Sequence, residues 1–508
     1  MSPTPLNEFN AVIKDSSRVE VLFGYCYPST YRAGMTGLAL HILYATLNSR
    51  SDTSCERYFR FDTASPIHSI ESNRPLEENH IIGFSLTYEE DILHLVQMLE
   101  LGHIPALANQ RSENDPIVIV GGPVVTANPE PFVDFVDVFV IGEGDLIVHD
   151  IVNSVKTSNT RNDALLELSG LSGIYVPSIP KPHVDRLIIS DLDSLPYPTT
   201  QIIPDVPEGS ILEPVFGKSL LLEVTRGCGH SCKFCLIGHI CRPRRTRSLE
   251  RLKDLIHLGI EDTPTKKVSM IGSSLGDLDE LEELVCWTVG EGLEVSVPSL
   301  RADSVSKPLL DCLVKSGQRT LTIAPESGSI RMRRKIGKGL NDSDIENAID
   351  LAKQAGYNSL KLYFIIGLPE ETDDDVKATV DMITQFGRTS GLKVTASVNP
   401  YIPKAQTRWE REPQPSIDEI RRKIQFVEKG VRKASKVTVE TLDPRKARIQ
   451  AALSLGDRNL GQVIHKAAEY GGLGGWRRAE KETKIPLFSI ANDAERLKGE
   501  LPWSFLNK

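Results

Sequence analysis

Two series of strands alternating with helices, joined by a proline-punctuated stretch, predict an α/β protein. Its parts are an N-terminal Rossmann-like domain, a partial (β/α)6 barrel and a mostly helical C-terminal region. Three observations carry this. In residues 1–150, apolar runs end in small-residue segments, as strands of a parallel sheet do where backbone meets a ligand. In residues 216–400, six short apolar runs are separated by helix signals. Just past the first of those six runs stands a triplet of cysteines.

In chain order, Val19-Glu20-Val21-Leu22-Phe23 reads as the first strand, and residues 38–47 as a helix. Ile81-Ile82-Gly83-Phe84-Ser85-Leu86 follows, with a helix over 91–101. Ile117-Val118-Ile119-Val120 runs into Gly121-Gly122-Pro123, and Val136-Asp137-Val138-Phe139-Val140-Ile141 into Gly142-Glu143-Gly144-Asp145. Residues 151–215 read as a connector, broken by Pro196, Pro198, Pro204, Pro207 and Pro214. Barrel strands are expected at 219–224, 267–271, 293–297, 319–324, 359–366 and 393–398. Ser306 is placed to cap a helix that Gly317 ends, and Asn341 one that Gly356 ends. From 401 to 508 the pattern turns helical. Ser416-Ile417-Asp418-Glu419 opens a long basic helix, 437–440 is a short strand, and a glycine-rich break is expected at 471–476. The apolar end, Leu501-Pro502-Trp503-Ser504-Phe505, reads as a tail docked on the core or as a lid over a site.

Composition bounds the function. The 508 residues suffice for about three domains at ~150 residues each. A net charge of −9 argues against broad nucleic-acid binding. No apolar run approaches the roughly 18 residues of a membrane helix, and the first residues lack a secretory pattern. Eight cysteines in a chain this long predict reduced, cytoplasmic thiols rather than a disulfide framework, with Cys26, Cys55, Cys286 and Cys312 as small buried apolar residues.

Cys228, Cys232 and Cys235 stand at C-x3-C-x2-C spacing, directly after the strand at 219–224. Thiolates favour zinc or an iron–sulfur cluster. Three can hold three irons of a cubane and leave the fourth open. The other reading is a zinc site completed by Cys241, His230 or His239. Glu326 is a carboxylate at a barrel strand end, either a ligand contact or an ion pair with Arg331 or Arg333. Lys404 is placed at the barrel mouth, to meet an anion or to be solvated. The run Arg242-Pro243-Arg244-Arg245-Thr246-Arg247 could face tRNA phosphates, the cofactor or an acidic protein. It lacks the interleaved aromatics that stack on bases.

A cysteine triplet in this position, with these strand ends, resembles the radical S-adenosylmethionine (SAM) superfamily, in the subfamily with an N-terminal cobalamin-binding domain. In that superfamily the open iron of a 4Fe–4S cluster chelates SAM. The resemblance implies Cys228, Cys232 and Cys235 as metal ligands, with Phe234 beside them. It implies Gly272 and Ser273 near the SAM amino group, and Ser299 and Arg301 near its ribose or carboxylate. Glu326 falls at ribose hydroxyls or an ammonium, in a catalytic position, and Gly367 and Leu368 around adenine. Glu370 stands where the usual motif has a second glycine. Val398-Asn399-Pro400-Tyr401-Ile402-Pro403-Lys404 is similar to a segment of the same subfamily. On the N-terminal side it implies cobalamin contacts at Tyr27, Ser85, Leu86, Thr87, Gly121, Gly122, Gly142 and Glu143, with Tyr88 facing cobalt. The Asp-x-His-x-x-Gly motif that supplies a cobalt ligand is absent. Its loop is Tyr25-Cys26-Tyr27-Pro28-Ser29-Thr30-Tyr31, so no histidine is expected below the cobalt. A Rossmann-like domain without cofactor is the other reading.

The implied activity is a cobalamin-dependent radical SAM methyltransferase. Its acceptor would be an unactivated sp3 carbon of a protein or peptide, such as the α-carbon of a glutamine in methyl-coenzyme M reductase. A low-potential electron donor is the implied partner, with no membrane and with nucleic acid less favoured. The alternatives are a radical SAM tRNA-modifying or methylthio-transferring enzyme, and a non-catalytic iron–sulfur binding module. Methylthiotransferases use three further upstream cysteines, where this chain has only Cys26 and Cys55.

Overall fold

The computed structural model describes residues 6–60 and 66–507. Its first sheet has β1 (Val21–Tyr27), β2 (Thr53–Phe59), β3 (Ile81–Ser85), β4 (Ile117–Gly121), β5 (Val138–Val140) and β6 (Ile174–Tyr175), in the order β2-β1-β3-β4-β5-β6. All neighbours are parallel except β5 and β6. The order reverses between β1 and β3, so the crevice for a ligand opens at the carboxyl ends of those strands. β2 is the strand that apolar patterning misses, because Glu56 and Arg57 stand in its middle. Every residue of β2 is nevertheless buried. Arg57 is held by Glu8 and Glu71, and Glu56 by Arg74, so the charges enter the interior already paired.

The second unit follows the expected spans closely. β7 (Leu220–Glu223), β8 (Lys267–Ile271) and β9 (Glu294–Ser296) pair in parallel. So do β10 (Thr320–Glu326), β11 (Ser359–Ile366), β12 (Lys393–Pro400) and β13 (Val437–Glu440). Between β9 and β10 the ladder lapses, and the backbone bond from Leu300 N–H to the Thr322 carbonyl (3.1 Å) spans the gap. The arc is therefore open, as a partial barrel requires. β13 extends it as a further parallel strand. β10 slips register between Ile323 and Glu326, where Pro325 has no N–H to give. Helix caps fall as the sequence predicts. Ser306 accepts from Leu309 N–H, and Asn341 and Asp344 form a capping box on the helix that ends at Gly356.

The C-terminal helices Pro444–Leu455, Gly461–Tyr470 and Gly472–Thr483 pack against the first sheet's outer helix. One hydrophobic core runs from Ile82, Leu95 and Val118 to Ile449, Val463 and Trp476. The expected glycine-rich break reduces to Gly471, since Gly472, Gly474 and Gly475 lie inside the last of these helices. The terminal segment is docked. Trp503 is buried and donates to Glu410 (2.9 Å), and the Phe505 ring lies 4.9 Å from Tyr175.

Two expectations are corrected. Cys286 and Cys312 are not buried thiols: both are partly exposed and joined by a disulfide between the helices Leu281–Gly290 and Lys307–Lys315. The basic run 242–247 is largely turned inward. Arg245 pairs with Glu143, Arg247 with Glu223, and Arg242 donates to the His230 carbonyl. No helix among the described residues is long and apolar enough to cross a membrane.

Candidate functional site

The cysteine loop springs from β7. Thr225-Arg226 pairs antiparallel with Arg245-Thr246, and the chain between them closes into a loop. Gly227 permits the closure: at φ 80°, a β-carbon there would lie 2.0 Å from the Cys241 carbonyl. Within the loop the Cys235 N–H donates to the Cys232 carbonyl (3.0 Å), and the Lys233 N–H donates to the Ile336 carbonyl (2.9 Å). His230 is tied to Asp277, past the end of β8, at 2.9 Å. Beneath the loop lie Phe234, Met332, Leu368, Tyr401 and Trp409, an apolar floor that excludes water.

The three thiols share one environment. Burial pushes Cys232 up to about 11 and raises Cys235, and negative charge on the neighbouring cysteines raises each further. Among the described residues no three His, Cys, Asp or Glu side chains gather as the ligands of a single metal ion would. The proposed fourth zinc ligands point elsewhere. His230 faces Asp277, His239 Nδ1 faces the Cys235 carbonyl (2.7 Å), and Cys241 borders a separate cavity. Three thiolates in one loop, without a fourth, fit a polynuclear cluster that spreads its ligands over several irons. They do not complete a closed, four-ligand structural zinc site.

Around that loop the barrel brings together part of the predicted set. Glu326 is buried at φ 69° and accepts from Lys338 Nζ (3.0 Å). The alternative pairings are not formed: Arg331 goes to Asp375 and Arg333 to Asp342. Burial raises the Glu326 carboxyl and the Lys338 ammonium opposes that. Lys338 also lowers the Cys232 thiol, so this cation borders the cluster loop. Arg301 pairs with Asp303 (2.7 Å) and reaches the Lys338 carbonyl (3.3 Å). Gly272 packs on the strand below the loop, where a β-carbon would lie 2.4 Å from Thr225 Oγ1. That hydroxyl is buried without a hydrogen-bond partner, a polar atom available to a ligand. Ser273 and Ser299 are exposed at the mouth. Gly367, at φ 82°, donates to Glu371 (2.8 Å).

The N-terminal sheet supplies the other half. A cavity of about 380 Å³ opens at its strand ends and runs to the barrel. Gly83, Ser85, Gly121 and Gly142 line it from the sheet, and Arg226, Ile240 and Cys241 from the cysteine loop side. Gly122, at φ 106°, leaves no room for a side chain: its β-carbon would lie 2.5 Å from the Leu86 carbonyl. Gly144 has open space before it. The Tyr25 hydroxyl lines the cavity, buried, with no bond of good geometry, beside Ser85. An apolar cleft with a few small residues and an orphaned hydroxyl fits a large, mostly apolar cofactor tail. Leu86, Thr87, Tyr88 and Tyr27 lie off its lining, and the Tyr88 hydroxyl reaches Glu90 (3.2 Å). Glu143 is engaged in a charge network at the domain junction, with Arg245 at 2.8 Å and Arg226 at 3.3 Å. Arg226 also takes Asp145 and Glu223, each at 2.9 Å. Lys404 crosses the junction to Glu89, which accepts from Gln450 (2.9 Å) as well. Sequence reasoning missed Tyr25, Arg226 and Lys338 as site residues. Arg226, two residues before the first cysteine, and Tyr25, in the segment that replaces the cobalt-ligand motif, gave a signal by position; Lys338 gave none.

Comparison with known proteins agrees with this geometry. The family model described as "Radical SAM proteins, N-terminal" matches residues 39–177, and that of the "Radical SAM superfamily" matches residues 222–383. An uncharacterized protein of Methanocaldococcus jannaschii is 33% identical over 441 residues, covering 86% of this chain and 89% of its own. An uncharacterized methyltransferase of Pyrococcus horikoshii is 26% identical, over 54% of this chain and 59% of its own. Among solved structures, the radical SAM methyltransferase TsrM of Kitasatospora setae, with cobalamin and a [4Fe-4S] cluster bound, superposes with a TM-score of 0.54. The identity is 13%, over 91% of this chain and 98% of that one.

Proposed function

Because the chain belongs to the radical SAM superfamily, we propose that it is a cobalamin-dependent methyltransferase that alkylates an unactivated sp3 carbon of a protein or peptide. One observation carries the reading: the cavity at the ends of β1, β3, β4 and β5 is lined on its far side by Arg226, Ile240 and Cys241 of the cysteine loop. A methyl carrier and a radical initiator would thus meet across one junction. When bound, the cluster with SAM supplies the radical initiator and cobalamin supplies the methyl carrier. Cys228, Cys232 and Cys235 would hold the first. Gly83, Ser85, Gly121, Gly122 and Gly142 line the cavity that would take the second. Glu326 and Lys338 present opposite charges at the barrel mouth, suited to the ammonium, carboxylate or hydroxyls of SAM. The apolar floor of Phe234, Leu368 and Trp409 keeps water from the reactive carbon. A glutamine α-carbon is the acceptor we would try first.

The test is anaerobic turnover with dithionite, a glutamine-containing peptide and methyl-deuterated SAM. One deoxyadenosine and one S-adenosylhomocysteine per labelled peptide are expected. Alanine at Cys228, Cys232 or Cys235 should abolish cluster absorbance and both nucleosides, and Cys241→Ala should keep the absorbance. Deoxyadenosine without labelled peptide would withdraw the acceptor alone. An intact, reducible cluster that yields neither nucleoside would favour the binding-module reading.

A further inference from the structure

Resting on the reading of the cysteine loop as an iron–sulfur site, we propose that the arginine-lined surface against that loop docks an acidic, low-potential electron-transfer protein. The chain is acidic overall, at −9. Yet a second cavity, of about 260 Å³, is lined by Arg186, Arg242, Arg408 and Arg411, with His239 and one acid, Glu410. The acid is turned to its own chain, accepting from Gln406 N–H and Trp503 Nε1, both at 2.9 Å. Among the described residues none of the four arginines forms an ion pair with a carboxylate. Arg242 donates to the carbonyls of Gly238 and His230, and Arg411 to those of Leu497 and Gly499. Arg186 Nε is buried with no partner, and Arg408 is exposed. Elsewhere on this chain, interior arginines such as Arg57, Arg226 and Arg247 carry carboxylates. Among the described residues, four arginines set against one carboxylate form a positive field that an acidic surface completes.

Position gives the field its use. Arg242 Nη2 also donates to Ser231 Oγ (2.7 Å), and His239 Nδ1 faces the Cys235 carbonyl (2.7 Å). The cavity wall is thus the back of the ligand loop itself. A donor seated there gives up one electron and the cluster gains it, and no atom or proton has to cross. Nucleic acid suits the surface less well. Arg245 and Arg247 of the neighbouring basic run are spent on Glu143 and Glu223. Trp409, the aromatic at hand, is buried and cannot stack on a base.

The experiment uses the reconstituted full chain. Deoxyadenosine formation and cluster bleaching are followed with a reduced acidic ferredoxin, and separately with dithionite and with methyl viologen. Binding of the oxidised ferredoxin is measured by calorimetry at two salt concentrations. For the Arg408→Glu/Arg411→Glu pair we expect the KM for ferredoxin to rise about tenfold or more, and calorimetric binding to vanish. The two small reductants should drive wild-type rates, which shows the fold intact, and the Arg408→Lys/Arg411→Lys pair should behave as wild type. Equal ferredoxin kinetics in the charge-reversed protein would overturn the proposal. So would tRNA binding that the reversal abolishes while reduction by ferredoxin is untouched, which would reassign the surface to nucleic acid. A cluster that dithionite cannot bleach would instead overturn the reading on which this proposal rests.

Discussion

Single residues at this site act through what surrounds them. Glu326 lies at a strand end that Pro325 has already distorted, with Lys338 from beyond the next helix against it, so the carboxylate is held at a backbone angle other side chains avoid. His41 illustrates the same dependence away from the site. It lies in the helix Leu38–Asn48, with Nε2 facing the Met35 carbonyl (3.2 Å), and burial lowers it to about 4, with Arg57 adding to the effect and Glu8 opposing it. Its folded value is below its unfolded one, so it folds neutral. The unfolded chain therefore binds the extra proton between about pH 6.5 and 4, and stability falls as pH falls through that window. His41→Leu should flatten this dependence. Urea midpoints of both proteins at pH 7 and pH 5 measure it, and equal slopes would mean His41 is charged in the fold. Between those two pH values the effect should be about 2 kcal/mol, since a tenfold change in proton affinity is worth about 1.4 kcal/mol.

At the scale of elements, the three cysteines share one closed loop only because β7 and the two-stranded ribbon after it close it. Gly227 is where that closure is tightest. Alanine there would strain the backbone and press 2.0 Å against the Cys241 carbonyl, so the loop must open. We expect Gly227→Ala to keep native circular dichroism, lose most of its bound iron after reconstitution, and expose its thiols to a maleimide faster. Full iron content in that variant would show that the loop closes by another route. The disulfide between the helices Leu281–Gly290 and Lys307–Lys315 is the converse case. Two cysteines that look solitary in sequence are brought within 5.4 Å (Cα–Cα) by the packing of consecutive helices.

For the whole molecule, the decisive feature is the junction between the first sheet and the barrel. Arg226 joins Glu223 of the barrel to Glu143 and Asp145 of the sheet, and its side chain is 14% exposed. Removing it leaves Asp145 without its cation in a poorly solvated cleft, while Glu143 and Glu223 keep Arg245 and Arg247, a cost of up to ~3–5 kcal/mol for a buried pair broken on one side. Arg226→Gln should therefore loosen the junction without unfolding either half. Hydrogen exchange should quicken in residues 142–145 and 223–226 while the cores of β3, β4 and β11 stay protected. Unchanged exchange at 142–145 would mean that Lys404–Glu89 and the C-terminal helices alone hold the halves together.

The local chain determined a great deal. Apolar runs bounded by glycines fixed most strands to within a residue or two, because a buried parallel strand needs an unbroken apolar segment. The cysteine spacing fixed which thiols share one loop, because three thiols so close in sequence cannot lie far apart. Caps at Ser306 and Asn341 were legible because capping is a contact three residues long. What only the tertiary structure decided depends on groups distant in sequence. β2 could be recognised only with Glu8, Glu71 and Arg74 beside its charges. The inward turn of Arg245 and Arg247 needed Glu143 and Glu223. Lys338 became the partner of Glu326, and Cys286 that of Cys312, through helix packing that no local pattern encodes. The cavity between the sheet and the cysteine loop belongs to neither half. It exists because residues more than eighty apart, Asp145 and Arg226 among them, share one charge pair, and Coulomb's law takes no account of sequence separation.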